Sequence, residues 1–283
     1  MKLLRYGPPG REKPGMLDDT GAIRDLSAHV DDIAGDALGA DVLARLAVLD
    51  PATLPAVGGH PRIGPCVGGV GKFIGIGLNY SDHAAETGMA EPAEPIVFTK
   101  HVSCICGPND DVILPPGSEK ADWEVELGVV IGRTARYVDE AQALDHVAGY
   151  CVVNDISERA YQFEGTGQWV KGKSCDTFGP IGPWLVTRDE IPDCQALDLW
   201  LDLNGARRQT GNTATMIFSA VYIVSYLSRY FTLRPGDVIC TGTPPGVGMG
   251  AKPQRFLRPG DEMRLGVEGL GEQRLNVIAY TND

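Results

Sequence analysis

The stretch ADWEVELGVVIG, Ala121 to Gly132, decides the reading of this chain. Val125, Leu127, Val129 and Ile131 alternate with Glu124, Glu126, Gly128 and Val130. A period of two predicts a strand whose apolar set faces a core. Glu124 and Glu126 then project together from the opposite face, their Cα atoms roughly 6.5–7 Å apart. Two like charges side by side repel, and bulk water, a shared proton or a bound cation relieves them. Oxygen-only ligands suit a hard divalent ion such as Mg²⁺ or Mn²⁺. The plainer alternative is the solvated outer face of an ordinary strand.

The chain around this strand has 283 residues, enough to bury a sizeable core. Its 43% apolar and 22% charged residues are ordinary for a soluble globular protein. A net charge of −12 argues against nucleic-acid binding, which needs a basic face, and against docking to anionic membranes. No apolar run approaches the ~20 residues of a membrane span, and the first residues have no apolar signal-peptide core. Seven scattered cysteines suit a reducing cytosol, so the expected location is cytoplasmic. Cys104 and Cys106 read as small apolar residues on a strand, because no second Cys or His pair accompanies them.

Residues 1 to about 65 read as a small module of short strands and turns, followed by one amphipathic helix from Asp36 to Leu49. The Gly- and Pro-rich segment Pro55 to Gly71 marks the boundary with a unit covering 72–283. Lys72 to Tyr80 reads as a buried strand. Two nucleotide-binding patterns fail there: Phe73 follows Gly71-Lys72, and Tyr80 stands where a third Gly is needed after Gly75 and Gly77. Ser81 to Thr87 reads as a short helix with His83 and Glu86 on one face, a pair that is either an oriented base or a surface neighbourhood. Pro95 to Lys100 and Gly149 to Asp155 read as further strands. Asp155 ends the second, where a pocket residue or a helix N-cap belongs.

Gly165 to Pro183, carrying Lys171 and Lys173, reads as a long loop with little secondary structure, either a lid or plain surface. Leu197, Leu199, Leu201 and Leu203 alternate strictly, and Asn204-Gly205 predicts a hairpin turn. Thr213 to Tyr230 reads as the longest helix, its apolar stripe serving core or subunit packing. Strands outnumber helices and no βαβ rhythm appears, which favours a β-rich mixed fold over a doubly wound sheet.

Five stretches occur in a telling order: GLNYSDHAAETG, DWEVELGVVIG, NDISERAYQ, KGKSCDTFGPIGPW and RPGDVICTGTPPGVG. Together they resemble the fumarylacetoacetate hydrolase family over roughly residues 72 to 280. The resemblance implies an α+β, β-rich mixed sandwich or roll with a small N-terminal module. It implies a metal site of Glu124, Glu126 and Asp155, a His83–Glu86 dyad and a catalytic Lys173. Arg159, Gln162, Thr243 and Lys100 match substrate-contacting positions. The further metal carboxylate that the animal enzyme places before its His has no counterpart here, so the three-carboxylate site of the bacterial members is the better template.

Members of the family hydrolyse C–C bonds, isomerise keto–enol pairs or decarboxylate. The long match through KGKSCDTFGPIGPWLVT and TGTPPGVGMG resembles the bacterial 2,4-diketo-3-deoxy-L-rhamnonate and L-fuconate hydrolases, whose relatives also carry the name ureidoglycolate lyase. The resemblance implies an Mg²⁺-dependent hydrolase, with Mn²⁺ as the alternative ion, that acts on a keto acid and pairs as a homodimer. A binding protein that holds a dicarboxylate without turnover is the non-enzymatic alternative.

Overall fold

The computed structural model describes residues 1–88 and 90–282. The decisive stretch forms the strand Val125–Ile131, sixth of nine in a mixed sheet. Across that sheet the strands run Ile23–Asp25, Lys13–Leu17, Lys2–Tyr6, Leu185–Thr187, Val147–Asn154, Val125–Ile131, Val238–Cys240, Phe73–Gly77 and Ile96–Lys100. Every residue of Val125–Ile131 is buried, so both faces of the strand are covered and the solvated-face alternative is excluded. The alternation of the sequence therefore separates two buried environments, an apolar core and a polar site, instead of core and water.

A second sheet of five strands lies in the order Ala206–Asn212, Asp198–Leu203, Glu262–Val267, Gly271–Ala279 and Val112–Leu114. Leu199, Leu201 and Leu203 are buried, as their alternation predicts. The hairpin turns at Asn204 (φ 53°) and Gly205 (φ 75°), where positive φ at both residues favours Asn and Gly. The two sheets are stitched by buried amides: Gln273 Nε2 donates to Val152 O at 3.0 Å, and Asn154 Nδ2 reaches Met263 Sδ at 3.6 Å. This is the strand-rich α+β architecture expected.

Three expectations about elements need correction. The helix expected over 36–49 is a 3₁₀ turn, Gly35–Leu38, and a separate helix, Ala40–Ala47, divided by Gly39 in an extended conformation. The helix expected over 213–230 is Ala220–Ser228, begun by Ser219, whose Oγ accepts from Tyr222 N at 3.1 Å. Thr213–Thr215 form a separate 3₁₀ turn, and Phe218 is held apart from the helix by Asn79, which donates to Phe218 O at 3.0 Å and accepts from Phe218 N at 2.8 Å. The loop 165–183 contains a short helix, Val170–Lys173, that fixes Lys173. Cys104 and Cys106 are buried free thiols, Cys104 in a 3₁₀ turn and Cys106 in the strand Ile105–Cys106.

The opening residues supply three strands at one end of the large sheet, where Lys2 pairs with Val186 and Leu3 with Leu185. No helix among the described residues is long and apolar enough to cross a membrane.

Candidate active site

Sheet register gathers the site. Val147–Asn154 runs antiparallel to Val125–Ile131, with Asn154 opposite Val125 and Val153 opposite Glu126. One residue beyond that pairing, Asp155 N donates to Glu124 O at 2.9 Å, which sets Asp155 beside the two glutamates. Val238–Cys240 flanks the strand on its other side, and the chain continues along it: Thr241 and Thr243 hydroxyls donate to Leu127 O and Val125 O, each at 2.9 Å. Phe73–Gly77 runs parallel to Val238–Cys240 and leads toward the helix Ser81–Thr87. The imidazole and the carboxylates thus meet at one end of the sheet.

Oxygens of Glu124, Glu126 and Asp155 lie within 4.8 Å of one another, all on buried residues. Their electrostatic surroundings differ. Glu124 accepts from Arg159 at 2.7 Å and from Lys173 at 2.6 Å. Burial alone pushes its carboxyl up, but Lys173 and then Arg159 outweigh burial and hold it down at about 2. Asp155 accepts from Lys100 at 2.6 Å and from Lys173 at 2.8 Å. Glu126 accepts only the backbone N–H of Gly242, at 2.7 Å, and no Lys or Arg contacts it among the described residues. Burial, then Asp155 and Glu124, push its carboxyl well above the usual range. Arg159 also donates to Asp122 at 2.9 Å. With Asp122 counted, four buried acids face three cationic side chains among the described residues, one acid more than there are counter-ions. Oxygen-only donors, an excess of acids and one carboxylate without a counter-ion fit a hard divalent cation.

His83 Nδ1 lies 3.1 Å from Glu86 Oε2. A carboxylate only accepts, so in this contact Nδ1–H is the donor. Gly246 N in turn donates to both Glu86 oxygens, at 3.2 and 3.3 Å. His83, Glu124, Glu126, Arg159, Lys173 and Thr243 line one cavity of about 120 Å³, together with Gln162. Phe98, Phe163, Trp169 and Met249 line it as well.

Lys100 stands elsewhere. The resemblance placed it against substrate; here it lies behind Asp155, its side chain fully buried, and does not line the cavity. Burial opposes its charge, but Asp155 outweighs burial and raises its pKa above the ordinary lysine value. Thr243 faces the cavity with its hydroxyl engaged by Val125 O and by Gln209 Nε2, at 2.8 Å. Sequence reasoning passed over Asp122, which accepts from Arg159, from Gly248 N at 2.6 Å and from Met249 N at 3.0 Å. The signal was present, since Asp122 shares parity with Glu124 and Glu126. Nothing in the local pattern marked Gln209 or Trp169.

The family described as fumarylacetoacetate (FAA) hydrolase C-terminal matches residues 72–278. This chain belongs to the fumarylacetoacetate hydrolase family. A Burkholderia multivorans relative, named as a hydrolase without a substrate, is 69% identical over 274 residues, 96% of this chain and 97% of its own length. A Mycobacterium abscessus structure, named a "probable" 2-hydroxyhepta-2,4-diene-1,7-dioate isomerase, superposes with a TM-score of 0.83 at 34% identity, covering 100% of both chains. A maleylpyruvate hydrolase from Sphingobium sp. SYK-6, solved with manganese(II) and pyruvate, gives 0.82 at 27% identity, covering 99% of this chain and 100% of its own. Hydrolase and isomerase chemistry therefore both occur among relatives of this fold, and the acidic triad is suited to a divalent metal.

Proposed function

We propose that the protein is a metal-dependent hydrolase that cleaves the C–C bond of a 2,4-diketo-3-deoxy sugar acid, derived from L-rhamnonate or L-fuconate, to pyruvate and lactate. One observation carries the reading: an imidazole oriented by a carboxylate shares a small cavity with Glu124 and Glu126, two of a cluster of three acids whose third member, Asp155, sits beside them without lining it. A pure binding protein needs no such base. The neighbour solved with manganese(II) and pyruvate supports both the metal and the product.

In this proposal Glu124, Glu126 and Asp155 hold the ion, Mg²⁺ or Mn²⁺. When bound, the ion supplies positive charge that stabilises negative charge building on the 2-keto and carboxylate oxygens of the substrate. His83 Nε2 takes a proton from water, and Glu86 holds the resulting imidazolium by its Nδ1–H. The hydroxide adds to the C4 carbonyl. The C3–C4 bond breaks, its electron pair passes into a pyruvate enolate, and the other fragment leaves as lactate. Lys173 and Arg159, which line the cavity beside Glu124, face the keto-acid end of the substrate, with Gln162 also lining the cavity. The His83 imidazolium returns its proton to C3, which releases pyruvate and restores the base, while the carboxylic acid formed at C4 gives its own proton to bulk water as lactate. Pairing as a cytoplasmic homodimer completes the proposal.

Pyruvate release from a 2,4-diketo-3-deoxy acid with Mg²⁺ tests the reading. His83→Ala is expected to lower kcat by about 10²–10⁴-fold, the span of general acid–base catalysis. Absence of pyruvate from the wild type removes the proposal. The isomerase neighbour favours a second reading, in which the same base moves a proton on carbon without attack by water. Conversion of a 2-hydroxydienoate without bond cleavage would promote it. Glyoxylate from ureidoglycolate would promote the lyase.

A further inference from the structure

The outer part of the cavity is a row of aromatic rings. Lys173 Nζ sits 5.1 Å from the Phe98 ring centroid. Phe98 packs against Trp169 with centroids 5.4 Å apart, and Trp169 meets Phe163 edge-on at 5.6 Å. Phe163 is 44% exposed, so the row leads from the carboxylate cluster to the surface. Trp169 is seated against Gly77, where a Cβ would come within 2.6 Å of the indole. The strand Phe73–Gly77 therefore ends in a residue that admits the ring.

From this row we infer a specificity wall that accepts a keto acid with an uncharged tail and rejects one ending in a second carboxylate. The inference rests on the proposed function only in taking a 2-keto acid as the group held at the carboxylate cluster. Among the described residues, the Lys and Arg side chains lining the cavity are Lys173 and Arg159, and both already pair with Glu124. A terminal carboxylate laid along the rings loses water and gains no cation, a cost that neutral tails escape. The apolar rings offer a hydrocarbon or methyl-ended tail favourable burial in return. A cavity of about 120 Å³ is also small beside the roughly 300 Å³ at which drug-sized sites begin, so the tail is compact. Phe163 shares the helix Arg159–Phe163 with Arg159, and Trp169 stands at the start of the helix Val170–Lys173 that carries Lys173, which couples tail recognition to placement of both cations.

Calorimetric titration of the Mg²⁺-loaded protein with 2-oxohexanoate and 2-oxoadipate tests the inference. The two acids have equal carbon number and differ at the terminal group, and neither carries the 4-keto group that cleavage requires. The wild type is expected to bind 2-oxohexanoate at least about 10-fold more tightly, within the range that one pocket contact discriminates. Trp169→Arg is expected to shift that ratio by about 10-fold toward 2-oxoadipate. Phe163→Arg, at a half-exposed position, applies the same test if the first variant misfolds. Equal binding, preference for 2-oxoadipate, binding of neither acid, or an unchanged ratio in a folded Arg variant overturns the inference. A clear preference in a protein that releases no pyruvate leaves the wall standing and removes the hydrolysis.

Discussion

At Lys100 the geometry changes the role expected from resemblance. Its ammonium is buried against Asp155 at 2.6 Å and donates to Ile156 O at 3.2 Å, so in this structure it holds a carboxylate in place and does not line the cavity. Removing one partner of a buried ion pair strands the other. Lys100→Met is therefore expected to destabilise the protein by about 3–5 kcal/mol in chemical denaturation. A change confined to KM, at unaltered stability, would restore the substrate contact. Glu126 makes a separate prediction. Burial and its acidic neighbours hold its pKa above the ordinary value, so the metal-free fold binds this proton more tightly than the unfolded chain does. The resulting stability is full below the ordinary glutamate range and is lost as pH rises through the raised value. A metal must displace that proton. Its apparent affinity is expected to rise with pH, and calorimetry in buffers of different ionisation enthalpy is expected to show proton release. Uptake without proton release contradicts the assignment of Glu126.

Element by element, legibility followed the range of the interactions. The strand Val125–Ile131 was readable because its period is local, and the hairpin at Asn204-Gly205 because the turn residues are themselves the signal. The burial of both faces of Val125–Ile131 was not readable, since the cover comes from distant parts of the chain, including Gln209 and residues 241–243. The helix Ala220–Ser228 makes the same point. Thr213 to Phe218 carry a helical apolar pattern, but Asn79, more than a hundred residues away, takes both backbone groups of Phe218. Of the candidate site, the carboxylates and the His83–Glu86 pair were legible as short motifs, while Asp122 and Trp169 acquire meaning only from neighbours brought by the fold. The helix start makes its own prediction. Ser219→Ala removes the cap on Tyr222 N and is expected to cost about 0.5–2 kcal/mol, read as a lower denaturation midpoint. No change would mean that tertiary contacts alone set this boundary.

On the scale of the molecule, the candidate site is assembled around the central strands of the nine-stranded sheet, and its residues lie within the 72–278 span of the family match. We propose that the chain divides at residues 55–71 into an N-terminal module and a catalytic unit; the homodimer is likewise a proposal. Ile223, Val224 and Leu227 pack inside their own chain, whereas Tyr222, Tyr226 and Tyr230 continue a ring row whose last member is 64% exposed. Light scattering is expected to give about twice the 30.3 kDa of one chain, and Tyr230→Glu to shift it toward the single-chain mass. A wild-type protein of single-chain mass contradicts the pairing. The central claim is that three acids collect one divalent ion and that the imidazole serves the reaction without holding the metal. Titration with Mn²⁺, followed by electron paramagnetic resonance, tests it most directly. The account predicts one bound ion per chain in the wild type and in His83→Ala, and loss of that ion in Glu126→Ala; full binding by Glu126→Ala, or loss of the ion in His83→Ala, contradicts it.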